Sequence, residues 1–371
     1  PGAQKSVLIG NFRIHYDTTG IHEPAMLNAQ HNRIPNSANR FADSVGAIAN
    51  YCLRVERDLL GYAGIPNDNG AGGGSEYDIY VQQLSNLYGL TTPESPINNK
   101  PDGGTFTSFI TIDNDFIFVS PDSNKGLPGL RVTLAHELHH AIQLGNYGYW
   151  TSDVFFYEIT SVWMEDVVFT EVNDYFQYLA PSFSQFRRPW ISFANENTDL
   201  IMYSRGIWGL FVAKKYGANA MRKCWEEIRN ARPILAIDRA LQQISGASLR
   251  QAFVEWATWN RFTGTQSDSA LYYSEGRYYP TIAKEAVSLT SSTLTVENTL
   301  QPLSTRYYTI NGQATLPVSN IDVNAAVNSP SRSFSYRLQL ATSKSDESYG
   351  FVAPNIYAKI DVSDPNNWFI P

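Results

Sequence analysis

The chain has 371 residues, 43% of them hydrophobic, 13% aromatic and only 17% charged. That composition excludes a disordered chain, and the length suffices for roughly two to three domains. Twenty-eight Lys and Arg against 35 Asp and Glu leave a net charge of −7, which provides no basic field for a polyanion and argues against nucleic-acid binding.

The longest nearly apolar run, residues 207–213, falls far short of the ~20 residues that cross a bilayer, so no membrane span is expected. The first residue is Pro1 and not Met, which suits a processed chain, and a secreted, extracellular monomer is expected. Cys52 and Cys224 each lie on an apolar helical stripe, where free buried thiols are expected.

Near the start, Phe12, Ile14 and Tyr16 alternate with Arg13 and His15, the period of a strand with one buried face. A long helix is predicted over residues 37–60, where Phe41, Val45, Ile48, Cys52, Val55 and Leu59 step by four and three and Gly61 provides a stop. After a Gly- and Asn-rich loop, residues 77–81 alternate again, and residues 105–119 read as one or two more strands. Helical patterns then follow at 130–144, 152–168, 199–216, 218–229, 234–244 and 248–262, with Gly145, Gly217, Gly246 and Gly264 as stops. From about residue 287 the chain turns rich in Ser and Thr, Phe334, Tyr336, Leu338 and Leu340 alternate, and Asn311-Gly312 signals a hairpin. The expected class is α+β: a mixed domain over 1–264, a connection over 265–286, and a small all-β sandwich over 287–371.

The sharpest chemical signal is Ala135-His136-Glu137-Leu138-His139-His140, an H-E-x-x-H within a predicted helix. At 100° per residue Leu134, Leu138 and Ile142 anchor one side, while His136 and His140 project together from the other, about 6 Å apart along the axis. Two imidazoles so placed can share one Zn²⁺, and Glu137 stands beside them to take a proton from water. His139, about 60° away on the wheel, is expected to be structural.

A catalytic zinc takes three protein ligands as a rule, so a further donor is needed. A metzincin would continue x-x-G-x-x-H, but Gln143 stands at the glycine position and Asn146 at the histidine position. Glu158 follows His140 after 17 intervening residues in a helical stretch, and an antiparallel second helix could bring it to the metal.

An H-E-x-x-H helix followed by Glu158-Ile159-Thr160-Ser161-Val162-Trp163-Met164-Glu165-Asp166 resembles secreted bacterial metallopeptidases of the gluzincin type. The resemblance is in particular to the metalloprotease family of myxobacteria and related bacteria, and more distantly to hyicolysin-like and thermolysin-like enzymes. Asn11 to Thr18 and Ala135 to Gln143 fit that first family too. The likeness spans residues 11–264 as an order of elements, and the two helices carry it. It implies a zincin-like fold, a twisted mixed sheet above the metal helix with a helical lower half, in which His136, His140 and Glu158 ligate zinc and Glu137 is the general base. One position departs. Thermolysin-like enzymes place an Asp four residues after the ligand glutamate to orient a histidine, and here that position is Val162. Glu165, seven residues on, could serve that purpose, although an ordinary solvated or paired carboxylate is the favoured reading.

Many such relatives place a His or Tyr from the lower half on the oxyanion. No His is available there, and of Tyr203 and Arg205 the neutral donor Tyr203 is preferred, against the reading that it merely packs. Asp68-Asn69-Gly70 and Asp113-Asn114-Asp115 could bind Ca²⁺ but read more readily as turns. Together these features predict a zinc endopeptidase acting on proteins or peptides. An aminopeptidase is disfavoured by the lack of a G-[AG]-M-E-N-like segment, and a di-iron bundle by the lack of a second Glu-x-x-His. The alternative from another class is a catalytically inactive zincin-like binding protein that presents the terminal sandwich.

Overall fold

The computed structural model describes residues 2–100, 103–195, 200–288, 298 and 300–311, together with five short strands beyond residue 330. It divides into two compact units, Pro1–Gln185 with Ala194–Leu249, and Phe186–Phe193 with Arg250–Pro371.

The first unit is built on a five-stranded mixed sheet. β1 (Lys5–Ile9) and β2 (Phe12–Tyr16) form an antiparallel hairpin. Its turn needs Gly10, whose φ is 61° and where a Cβ would stand 2.3 Å from the Asn50 carboxamide oxygen. β2 shows the expected alternation, with Phe12, Ile14 and Tyr16 buried, whereas the exposed edge strand β1 has no buried face to leave a pattern. β3 (Tyr77–Gln82) runs parallel to β2, β5 (Thr105–Asp113) parallel to β3, and β4 (Gly89–Asn98) antiparallel to β5, giving the order β1-β2-β3-β5-β4. Pro93 and Pro96 hid β4 from a pattern reading. Both are tolerated because the strand is an edge, and its register shifts at those prolines. β5 stops short of residue 119 because the Asp113 carboxylate accepts the amides of Asp115 and Phe116 and turns the chain.

The helix predicted over 37–60 is α-helical only as α1 (Ala38–Leu53), which buries Phe41, Val45, Ala49 and Cys52. Arg54–Leu59 winds as a π-helix, with the Leu60 amide donating to the Val55 carbonyl at 3.0 Å. The wider turn rotates the apolar stripe out of phase. Leu59, expected in the core, is 65% exposed, and Glu56 is fully buried in its stead.

The helical run follows as α2 (Leu127–Asn146), α3 (Val154–Val168), α4 (Ile207–Tyr216), α5 (Asn219–Ile228) and α6 (Pro233–Ser245), and α7 (Leu249–Arg261) leads into the second unit. The helix expected from residue 199 begins instead as a short 3-10 turn, Tyr203–Gly206, ahead of α4. Seven α-helices and a mixed sheet among the described residues make the class α+β. None of these helices is long and apolar enough to cross a membrane.

In the second unit Trp256, Trp259, Phe262, Tyr273 and Tyr279 are buried, so the tryptophans are core residues. β6 (Glu285–Ser288) pairs in parallel with β7 (Tyr308–Asn311). Five strands follow, β8 (Phe334–Leu338), β9 (Ala341–Ser343), β10 (Tyr349–Val352), β11 (Ile356–Ile360) and β12 (Trp368–Phe369). β11 lies between β8 and β12, antiparallel to both, and β9 pairs antiparallel with β10. The segments between them, and with them the expected sandwich and the Asn311-Gly312 turn, lie outside the described residues.

Candidate metal centre

α2 packs against β4 and β5 of the sheet and against α1 and α3. Leu130, Leu134, Leu138 and Ile142 are fully buried and anchor it, which leaves the His136–His140 side to face α3. The two imidazoles stand at 81° with their centroids 4.7 Å apart and their Nε2 atoms 3.0 Å apart. Glu158, from the second turn of α3, brings Oε2 to 3.2 Å from His136 Nε2 and 3.6 Å from His140 Nε2. Among the described residues these three form the one cluster of His, Cys, Asp or Glu side chains able to hold a metal ion, with donor atoms all within 4.8 Å of one another.

The far nitrogen of each ring is tied down. His136 Nδ1 meets Glu165 Oε1 at 2.7 Å, and His140 Nδ1 meets Gln143 Oε1 at 2.8 Å and Ser161 Oγ at 3.1 Å. The Gln143 amide nitrogen donates to Thr160 Oγ1 at 2.9 Å, which fixes its oxygen as the group facing His140. With acceptors at both Nδ1 atoms, each ring keeps a proton there, so Nε2 is the atom each ring can offer to a cation once any proton on it is released. Three lone pairs converging on one point suit a cation, and two nitrogens with one carboxylate suit Zn²⁺.

Electrostatics point the same way. Burial alone would lower the His136 imidazole, yet its hydrogen bonds to Glu158 and Glu165 hold it well above its ordinary value. Burial alone would raise Glu158, yet the His140 and His136 rings hold it well below the usual carboxylate range. Burial pushes Glu165 up to about 7 against the pull of His136. The centre therefore favours positive charge.

Glu165 is thus a buried, paired carboxylate, and its partner is His136, so it can orient that ring where Val162 cannot. Val162 packs instead. A Cβ on Gly206 would lie 2.5 Å from Val162 Cγ1, so α3 and the turn Tyr203–Gly206 meet there at backbone distance. That contact helps hold the Tyr203 ring parallel to His136, at 7° and 6.0 Å between centroids. Burial, and after it the Glu158 carboxylate, push the Tyr203 hydroxyl far up, so it stays a proton donor. Arg205, the other candidate on that turn, is fully buried and donates to Gln185 Oε1 at 2.8 Å.

Glu137 is buried beneath β4, where Thr91 Oγ1 lies 2.7 Å from its Oε2. His139 faces away from the centre, fully buried, with Nδ1 2.8 Å from the Glu56 carboxyl group and its ring against Tyr62 and Trp225. The acidic loops are occupied as turns. Asp68 accepts the Gly70 amide, Asp113 the amides of Leu84, Asp115 and Phe116, and Asp115 pairs with Arg33 and accepts the Ile117 amide.

Gln143, Ser161 and Thr91 were not legible as site residues. The first two sit three residues after His140 and three after Glu158, a spacing that puts them on the ligand faces of α2 and α3. Thr91 lies on the strand that its prolines concealed.

No curated protein matches the chain. A family model does match residues 114–355, which takes in α2, α3, the Tyr203 turn and the His136, His140 and Glu158 cluster. Since that match covers well over half of the sequence, the chain belongs to DUF6055, a family of unknown function.

Proposed function

We propose that this protein is a zinc-dependent endopeptidase of the gluzincin type, with a zincin-like catalytic fold over residues 1–264 and a secreted, extracellular setting. The observation that carries the reading is the convergence of His136 Nε2, His140 Nε2 and Glu158 Oε2, each ring fixed from behind, with Glu137 next to His136 on the same helix. The sheet supports it as well. β4 is an antiparallel edge strand lying against α2, so its open side can pair with an extended peptide close to the metal centre.

His136, His140 and Glu158 would hold the ion. Bound zinc supplies Lewis acidity, polarising a peptide carbonyl and easing the deprotonation of water. Glu137 takes that proton and returns it to the departing amine nitrogen, so water and one amide become a carboxylic acid and an amine. Tyr203, kept protonated by its surroundings, donates a hydrogen bond to the developing oxyanion. Glu165 and Gln143 keep both rings in the ligating tautomer.

The test combines metal analysis with a peptide-library digest, run with and without chelator. About one zinc per chain and chelator-sensitive internal cleavage are expected, and Glu137→Ala should keep the metal and lose the cleavage. Zinc retained by a wild-type protein that cuts nothing would favour the noncatalytic binding protein. A protein that takes up no zinc when the ion is in excess would remove the endopeptidase reading.

A further inference from the structure

We infer that Thr91 is a positioning residue for Glu137, which couples the open edge strand to the general base; this rests on the reading of Glu137 just given. Thr91 Oγ1 lies 2.7 Å from Glu137 Oε2 and 2.9 Å from the Glu137 carbonyl oxygen. A threonine hydroxyl has one proton, and the shorter, charge-assisted contact to the carboxylate is the stronger place for it. Gly89, two residues earlier and therefore on the same face of β4, leaves room for the same side chain. A Cβ there would lie 3.0 Å from Glu137 Cγ, 3.2 Å from Oε1 and 2.8 Å from Thr133 Cγ2. Glu137 is thus held by β4 through one oxygen at Thr91, and its stem fits the space that the absent side chain of Gly89 leaves open.

This grip has a chemical consequence. With Oε2 engaged by the hydroxyl, the carboxylate cannot spin about its last torsion, and Oε1 is the oxygen left to receive the proton from water. The sheet gives it a second consequence. Thr91 sits on the edge strand, opposite Ile110 of β5, so a peptide that pairs with the open edge of β4 orders the strand that holds the base. Substrate contact away from the scissile bond is then expressed in kcat.

The test uses the full-length, zinc-loaded protein and the variants Thr91→Val and Thr91→Ser. Val keeps the shape and removes the hydroxyl, whereas Ser keeps the hydroxyl. Thr91→Val should retain one zinc per chain and hold KM within about 3-fold while kcat falls about 10- to 100-fold, the effect of losing a charge-assisted hydrogen bond. Thr91→Ser should recover kcat to within about 5-fold of wild type. A structural role alone would lower zinc content and affect Ser and Val variants without this split. Crystal structures of both variants give a readout independent of activity. Glu137 should leave its wild-type rotamer in Thr91→Val and keep it in Thr91→Ser. An unmoved Glu137 in Thr91→Val, or an undiminished kcat, overturns the inference. If the wild type cleaves no peptide but Glu137 still moves, the positioning role stands and the proposed activity falls.

Discussion

Replacing Glu165 by Gln changes one atom at the back of His136 and should cost metal affinity without touching a ligand. Glu165 Oε1 and His136 Nδ1 are 2.7 Å apart in a buried setting, so the contact is short, charge-assisted and shielded from water. A carboxylate only accepts hydrogen bonds, which keeps a ring proton on Nδ1 and leaves Nε2 as the nitrogen that can be freed for a metal. An amide can turn its NH₂ toward the ring, and the proton then shifts to Nε2, the atom the metal needs. Losing such a partner typically weakens metal binding 10- to 100-fold, or about 1.4–2.8 kcal/mol. The assay is zinc competition against chromophoric chelators of graded affinity. Glu158→Gln should lose more, because it removes a ligand, and Glu171→Gln, whose side chain is 65% exposed, should lose nothing. Binding by Glu165→Gln within about 2-fold of wild type would refute the claim that this carboxylate sets the tautomer.

Three further outcomes are expected. Tyr203→Phe removes only the hydroxyl and keeps the ring stacked on His136, so zinc content and KM should hold while kcat falls roughly 10²- to 10³-fold; a fall below about 3-fold would leave Tyr203 a packing residue. Cys52 and Cys224 are both buried and free, and burial pushes the Cys224 thiol up to about 12, so neither should react with a thiol reagent until the protein is denatured, when two thiols appear. Burial raises the Glu56 carboxyl in the folded state, so the native chain keeps a proton that the unfolded chain releases above pH ~4.3, and its favourable contribution is lost as pH rises. Urea unfolding of Glu56→Gln should therefore gain on wild type by up to about 1.4 kcal/mol for each pH unit above that value, and a difference that does not change with pH would count against it.

Much of the centre was legible because its parts repeat at helical spacing. His136 and His140 at i and i+4 meet on one face of any α-helix, and Glu158 needed only a second helix to carry it there. What stayed hidden has physical causes. β4 carries two prolines and little alternation because an edge strand is excused from both the hydrogen-bond ladder on its open side and full burial. Leu59 and Glu56 exchanged their expected environments because the π-turn changes the helical phase, and nothing in Arg54-Val55-Glu56-Arg57 announces it. Glu56 then meets His139, so the third histidine of the motif stabilises the back of α2 and leaves the ligand face to its neighbours.

The departure at Val162 shows how the remaining parts depend on one another. On a helix, the position four after Glu158 is offset from it by about 40°, and the position seven after by about −20°, so both lie near the face turned to α2. A carboxylate at the nearer position would meet Val162's neighbours, the turn Tyr203–Gly206 and the start of α4. Instead, Val162 closes on Gly206, and Trp163 closes on Gly209, where a Cβ would come within 2.2 Å of its ring. These contacts bring the segment bearing Tyr203 down on His136 and leave Glu165, one turn further along, to reach the ring from its other side. Glu165 and Val162 therefore act as a pair: moving the carboxylate to the nearer position, as in the double variant Val162→Asp with Glu165→Val, should restore a partner for the ring only at the expense of the Gly206 contact. Zinc affinity would then recover less than the single loss at Glu165 took away, and Tyr203 would no longer lie flat on His136. Full recovery of both affinity and stacking would mean that the two positions are interchangeable and that the packing at Gly206 does not constrain the site.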